Sequence, residues 1–210
     1  MKPVLFNTEM TQAIMAGRKN TTRRVIKPQP KSPIVRQPDG SFREIMPCAN
    51  GVRVFVPRFK VGDVLYIRET WQFIPCRDCG PELCSEVPTV FEDKESTSKG
   101  CFIYRANYPE AMYVKWKPSI FMPRQAARTF LRVIDARVEQ LQDIDAQGIR
   151  KEGLASMAAH AGDMRIAIAE WQLVWDRTMT RAARALYGWE ANPWIWVYEF
   201  QKISKAEAQK

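Results

Sequence analysis

The sequence predicts an α+β domain, mostly β: a barrel of mainly antiparallel strands with flanking helices and loop insertions. Three observations carry this. Apolar and β-branched runs bounded by Gly, Pro or Asp-Gly signals recur along the chain and give about five to seven strands. Roughly two or three helical patterns lie among them without regular alternation, which disfavours a parallel sheet of βαβ units. Hydrophobic residues make up 46% of the 210 positions, enough to bury a core.

Residues 3–6 (Pro-Val-Leu-Phe) read as the first strand. Asn7 or Thr8 caps the helix that follows, because its side-chain oxygen accepts from a free N–H of the first turn. Met10, Ala13 and Ile14 share one face of that helix, and Gly17 is its stop. Residues 28–56 hold Pro28, Pro30, Pro33 and Pro38 and the turn signal Asp39-Gly40, so they read as an extended loop with a small hairpin at 41–56. Val61-Gly62-Asp63 is a turn, and residues 64–68 are a strand. Residues 74–100 read as a cysteine-containing insertion, after which 101–105 resume as a strand. Residues 118–123 are an irregular link and 128–138 a long strand. A short helix spans 141–154. Asp163 caps a longer one, in which Met164, Ile168, Trp171, Trp175, Met179 and Ala182 form one face as far as Gly188. Residues 194–200 are the last strand, with Trp194 and Trp196 on one core face. A single domain is expected over 1–203, with 204–210 as a polar, frayed tail.

The formal charge is +9, and basic residues concentrate between Arg18 and Arg36. Such an excess suits an anionic partner, RNA or DNA, or else is a solvated basic surface. No apolar run approaches the roughly 20 residues of a membrane helix, and no charged-then-apolar leader opens the sequence. Five cysteines without such a leader read as thiols of a reducing compartment. The expected location is cytoplasmic, with no membrane association.

The densest basic run, Gly17-Arg18-Lys19-Asn20-Thr21-Thr22-Arg23-Arg24, begins where the first helix ends. Several segments occur with it in order: Lys2-Pro-Val-Leu-Phe, then Val61-Gly-Asp-Val-Leu-Tyr-Ile-Arg-Glu-Thr-Trp, Tyr104-Arg-Ala and Asn192-Pro-Trp-Ile-Trp-Val-Tyr-Glu-Phe. Together they resemble the ASCH-domain proteins, in particular the larger form common in phages and prophages. The resemblance covers most of the chain outside residues 28–56 and 74–100. It implies a PUA-like β-barrel related to RNA-binding modules. Some small bacterial members are amidohydrolases that remove the acetyl group from N4-acetylcytidine, using a Lys, a Thr three residues later and a Glu from a later helix. Carried over, these roles fall on Lys19 and Thr22. The helix start Leu141-Gln-Asp-Ile144, followed by Glu152-Gly153-Leu154, makes Glu152 the match for the third. The implied partner is an N4-acylated cytosine nucleoside, and the reaction needs no cofactor. This chain is about twice as long between the barrel segments as the small enzymes, which leaves room for a different substrate.

Hydrolysis of an exocyclic amide needs a nucleophile, stabilisation of the oxyanion and a proton for the leaving nitrogen. Thr22 supplies a hydroxyl, and Lys19 is its base if burial and the charges of Arg18, Arg23 and Arg24 lower its pKa. Glu152 then protonates the leaving amine or orients Lys19. Alternatively Glu152 activates a water while Lys19 and Thr22 hold the oxyanion. The bland reading is that Lys19, Arg23 and Arg24 only position phosphate. Arg24 is also a candidate ligand contact. Arg68, Glu69 and Trp71 follow the Gly-Asp turn, where a Trp stacks on a base and Arg or Glu reads its edge, or else Trp71 is core. Cys76-x-x-Cys79-x4-Cys84 has the spacing of one arm of a structural zinc site, with Cys101 or Cys48 as fourth ligand; the other reading is simple thiols. His160 is the only histidine, which disfavours a His-based triad. A nuclease is the remaining class, and no acidic metal cluster in the sequence supports it.

Overall fold

The computed structural model describes residues 1–45, 53–78, 80, 89–93, 96–154 and 163–210. The order is β1 (Lys2–Leu5), α1 (Thr8–Met15), β2 (Thr21–Val25), β3 (Ile34–Arg36), β4 (Phe42–Glu44), β5 (Val54–Phe55), β6 (Val64–Arg68), β7 (Trp71–Pro75), β8 (Thr89–Asp93), β9 (Ser96–Tyr104) and β10 (Phe130–Gln140). Then follow α2 (Ala146–Lys151), α3 (Met164–Arg177), α4 (Arg181–Tyr187), β11 (Trp194–Ile203) and α5 (Lys205–Ala208). The protein is α+β with mixed sheets.

The principal sheet has the order β1-β6-β10-β11-β2. β1 runs parallel to β6, and every other pairing in this sheet is antiparallel. The expected closed barrel is therefore corrected. Among the described residues β1 and β2 are the edges of an open sheet with no backbone pairing between them, and Arg24 Nη2 donates across to the Leu5 carbonyl at 2.9 Å. β11 lies inside the sheet between β10 and β2, and both its faces are core. Trp196, Tyr198 and Phe200 join Phe6, Phe59, Leu65 and Ile67 on one side. Ile195 and Val197 meet Ile149, Trp171, Trp175 and Trp189 on the other. This two-sided burial follows from the unbroken apolar run of β11.

Residues 28–56 contain a small sheet, β3-β4-β5, turned by Gly40 at a φ of +77°. The stretch read as an insertion carries a third sheet, β7-β9-β8, that packs its aromatic rings against one another. Two further corrections concern the C-terminal third. The single helix expected up to Gly188 is two, because Thr180 accepts from the Ala183 N–H and caps a new start. The tail expected to fray instead forms α5, held by a reciprocal Ser204–Glu207 capping box with Ala208 buried.

Candidate active site

α1 is capped by Asn7, which accepts from the Met10 N–H, and it ends at Gly17, whose φ of +74° reverses the chain. The reversal is fixed by Arg18 and Lys19, whose N–H groups both donate to the Ala13 carbonyl. β2 begins three residues on, against β11, with Thr22 opposite Tyr198 and Arg23 opposite Val197.

α2 is only six residues long, capped by Asp145, and Glu152 stands at its C-terminal end. Three contacts clamp this end to residues 18–20 in antiparallel order. Asn20 N donates to the Lys151 carbonyl at 3.0 Å, Lys19 Nζ donates to Glu152 Oε2, and Arg18 Nη1 donates to the Gly153 carbonyl at 2.7 Å. Gly153 makes the approach feasible. Its φ is +79°, and an added Cβ would stand 2.5 Å from Lys19 Cβ.

The Lys19 and Glu152 side chains are 1% and 3% exposed. Arg23 Nη1 donates to the other Glu152 oxygen at 2.8 Å. One carboxylate is thus shared by two buried cations. Burial lowers the Lys19 pKa from its usual value, Glu152 opposes that shift, and Arg24 and Arg23 reinforce it. The surplus positive charge is answered further out. Arg23 Nη2 reaches Glu139 at 3.4 Å, Arg137 bridges Glu139 to Glu199, and Lys151 Nζ donates to Glu199 at 3.0 Å. This ring of charges holds Arg23 in place against the Trp171 ring, 5.9 Å away. Thr21 Oγ1 and Arg23 Nε are buried with no hydrogen-bond partner among the described residues.

Thr22, Arg23, Arg24 and Glu152 line one crevice of about 70 Å³, roofed by Trp171 and Trp175. Arg24 also lines a larger cleft of about 430 Å³ between the β1 and β2 edges, with Lys27, Arg58, Arg68, Trp196 and Tyr198. Among the described residues no hydrogen bond joins Thr22 to Lys19 or Glu152.

The structure therefore brings Lys19, Thr22, Glu152 and Arg24 into one neighbourhood, and Arg68 to the adjoining cleft. It does not bring Glu69 or Trp71 there. Glu69 is 1% exposed and is gripped by Arg128 through two hydrogen bonds of 2.9 Å. Trp71 is 2% exposed and packs with Phe91 and Phe102 in a separate core, which corrects its reading as a base-stacking ring. Of the zinc candidates, Cys79, Cys84 and Cys48 lie outside the described residues. Cys101 is buried in β9 and Cys76 follows β7, and among the described residues no three metal-ligating side chains converge. His160 also lies outside the described residues.

Two contributors escaped the sequence reading. Arg23 appeared there as a tuning charge or a phosphate contact, yet it is a direct partner of Glu152. Gly153 appeared only as the residue after Glu152, although a glycine is the residue that permits a left-handed turn or a close backbone approach. Comparison with family models, curated proteins and solved structures returns no match. Among the described residues no helix is long and apolar enough to cross a membrane.

Proposed function

We propose that the protein is an amidohydrolase that removes acyl groups from the N4 amine of cytosine nucleosides, on a PUA-like scaffold of the ASCH kind. The observation that carries this reading is the buried Lys19–Glu152 pair, shared with Arg23, whose carboxylate member lines the same crevice as Thr22 while Lys19 lies behind it. The motif resemblance supplies the substrate class. The buried pair supports a proton-transfer role within this reading.

A Lys–Glu pair holds one proton to give and one site to accept another. The site accepts the proton of the attacking hydroxyl, and the proton goes to the N4 nitrogen as the C–N bond breaks. Burial lowers the Lys19 pKa, which makes its ammonium a readier proton donor than a lysine in water. The attacking oxygen is Thr22 Oγ1, giving an acyl-threonine that water then hydrolyses. Arg23 keeps Glu152 aimed, and the Arg24 guanidinium, which lines the same crevice as Thr22, stabilises the oxyanion.

The test is acetate release from N4-acetylcytidine by the wild type, Lys19→Ala and Thr22→Ala. Turnover that is lost in both variants, with an acyl adduct trapped on Thr22 in the wild type, is the expected outcome. Near-normal turnover in Thr22→Ala would transfer the attack to a water activated by Glu152. A non-catalytic RNA- or DNA-binding role is the second reading, favoured by the four cations of the larger cleft. No acetate release together with salt-sensitive nucleic-acid binding would decide for it.

A further inference from the structure

We propose that the cleft between the β1 and β2 edges is a phosphate-ester subsite, so that the acylated cytosine arrives as part of a nucleotide; this rests on the amidohydrolase reading for the placement of the base. Arg24, Lys27, Arg58 and Arg68 line the cleft, and no carboxylate is among the described residues around it. They come from three places in the chain: in and just after β2, ahead of β6, and at the end of β6.

Among the described residues none of the four cleft cations forms an ion pair, whereas Arg36, Arg128 and Arg137 each sit on a carboxylate. Exposed cations such as Arg43 and Arg132 are also without one among the described residues, but they stand apart, and what sets the cleft off is that four converge on one cavity. Arg68 Nε is buried and has no hydrogen-bond partner among the described residues. Glu152 offsets part of the charge of Arg24 from the neighbouring crevice, and the other three cations have no carboxylate lining the cleft beside them. Charge this concentrated suits an anion of more than one charge, and a phosphate ester accepts several such donors at once.

The remaining walls suit the rest of a nucleotide. Trp196 and Tyr198 give an aromatic side, and the volume of about 430 Å³ falls within the usual span for small-molecule sites. The Tyr198 hydroxyl already accepts from Arg58 N at 3.2 Å, which fixes the ring. Arg24 lines both the cleft and the crevice holding Thr22 and Glu152, so a phosphate in the first leaves a base directed at the second.

Binding of CMP and of cytidine to the full chain tests this without turnover. CMP is expected to bind at least about tenfold more tightly than cytidine, with an affinity that falls as salt rises. Arg58→Gln and Lys27→Gln, both at exposed positions and so expected to fold, should each narrow the CMP-to-cytidine ratio by on the order of tenfold. Equal binding of CMP and cytidine, or a ratio unmoved by both variants, overturns the subsite. A short single-stranded RNA containing cytidine separates the sources: a steeper salt dependence than that of CMP assigns the phosphate to a strand, and an equal one to a free nucleotide. Preferred CMP binding without acetate release from any acylated substrate would remove the amidohydrolase reading and leave the subsite standing. Release from N4-acetylcytidine with no preference for CMP would do the reverse.

Discussion

Two carboxylates in this protein are almost equally hidden, and their surroundings differ in kind. Glu69 and Glu152 have side chains 1% and 3% exposed. Glu69 meets a single arginine, Arg128, fork to fork, and that arginine is itself 24% exposed, lies over the Tyr104 ring and donates to Asn107. Every charge there is matched by geometry, and one partner keeps contact with water. Glu152 is divided between a lysine and an arginine that are 1% and 2% exposed, and it borders a crevice. A bidentate arginine pair holds a fold together and has no labile proton, because arginine does not deprotonate in proteins. A lysine with a lowered pKa does have one. Burial alone does not distinguish a structural carboxylate from a reactive one; the identity of its partner and the adjoining space do.

The sharpest way to break this comparison is to neutralise each carboxylate in turn. Glu152→Gln keeps the shape and removes the proton acceptor. Turnover of N4-acetylcytidine is expected to fall by about 10³-fold, in the range for loss of a general acid–base group. Glu69→Gln should leave kcat per folded molecule nearly unchanged. Equal loss of turnover in both would make Glu152 no more special than Glu69. The same contrast predicts a pH limb. Because the Lys19 pKa lies below 10.5, kcat/KM should fall as pH rises through that lower value, where the ammonium that protonates the leaving amine is lost. A profile flat up to 10.5 would contradict this.

Next in size is the clamp that joins α2 to residues 18–20. Gly153→Ala places a methyl group against Lys19 Cβ and puts an L side chain at a φ of +79°. Left-handed strain and overpacking together are expected to cost about 2–4 kcal/mol. Turnover should fall as well, since Glu152 is displaced with the backbone. A variant as stable as the wild type in urea denaturation would show that the approach is not tight. There is no such glycine beside Glu69, whose position is set by β6 and by Arg128.

What was legible in the sequence follows local chemistry. Asn7, Gly17 and Asp163 act within one turn of where they stand, and each does in the structure what its residue type predicts. The Lys19-to-Thr22 spacing and the helix before Glu152 were legible as pattern, and the structure brings Lys19 and Glu152 into contact across 133 positions. The pairing of Arg23 with Glu152 was not legible, because it depends on β2 lying beside β11 with α2 packed on one face. The core reading of Trp71 holds and its base-stacking reading does not, and Glu69 is turned inward for the same reason: exposure at a strand end is decided by what packs over it, here Met122, Phe91 and Phe102. Barrel closure was expected from the pattern of strands as well as from the family resemblance, and no single residue specifies it. Among the described residues the edges of β1 and β2 share no backbone pairing, and Arg24 reaches across to the Leu5 carbonyl beside the cleft.

A third prediction measures how firmly the Glu69 pair is structural. Glu69→Gln leaves Arg128 without its counter-charge but still partly in water. The expected cost is about 1–3 kcal/mol, the range for a hydrogen bond to a charged group. For a chain of this size each kcal/mol lowers Tm by about 2–4 °C. Loss of folding altogether would mean that Arg128 is less hydrated than its exposure implies.

The smallest expected effect reads the two neighbourhoods through their tyrosines. Tyr104 under Arg128 and Tyr198 beside the cleft both have a pKa raised to about 12, burial being the main cause in each. Both stay protonated in the folded state while the unfolded chain ionises near 10. Their contribution to stability is therefore fully present below pH 10 and is lost as pH rises from 10 toward 12. Tyrosinate absorbance at equilibrium should show Tyr104 and Tyr198 titrating late. The carboxylate of Glu69 adds to the rise at Tyr104, whereas Arg24 and Arg58 pull Tyr198 down. Glu69→Gln should consequently lower the Tyr104 midpoint and leave Tyr198 where it is. A nucleotide phosphate in the cleft should do the opposite, screening Arg24 and Arg58 and raising Tyr198 alone. Movement of both midpoints together in either experiment would mean that the two regions are coupled through the sheet and that the contrast between them is not local.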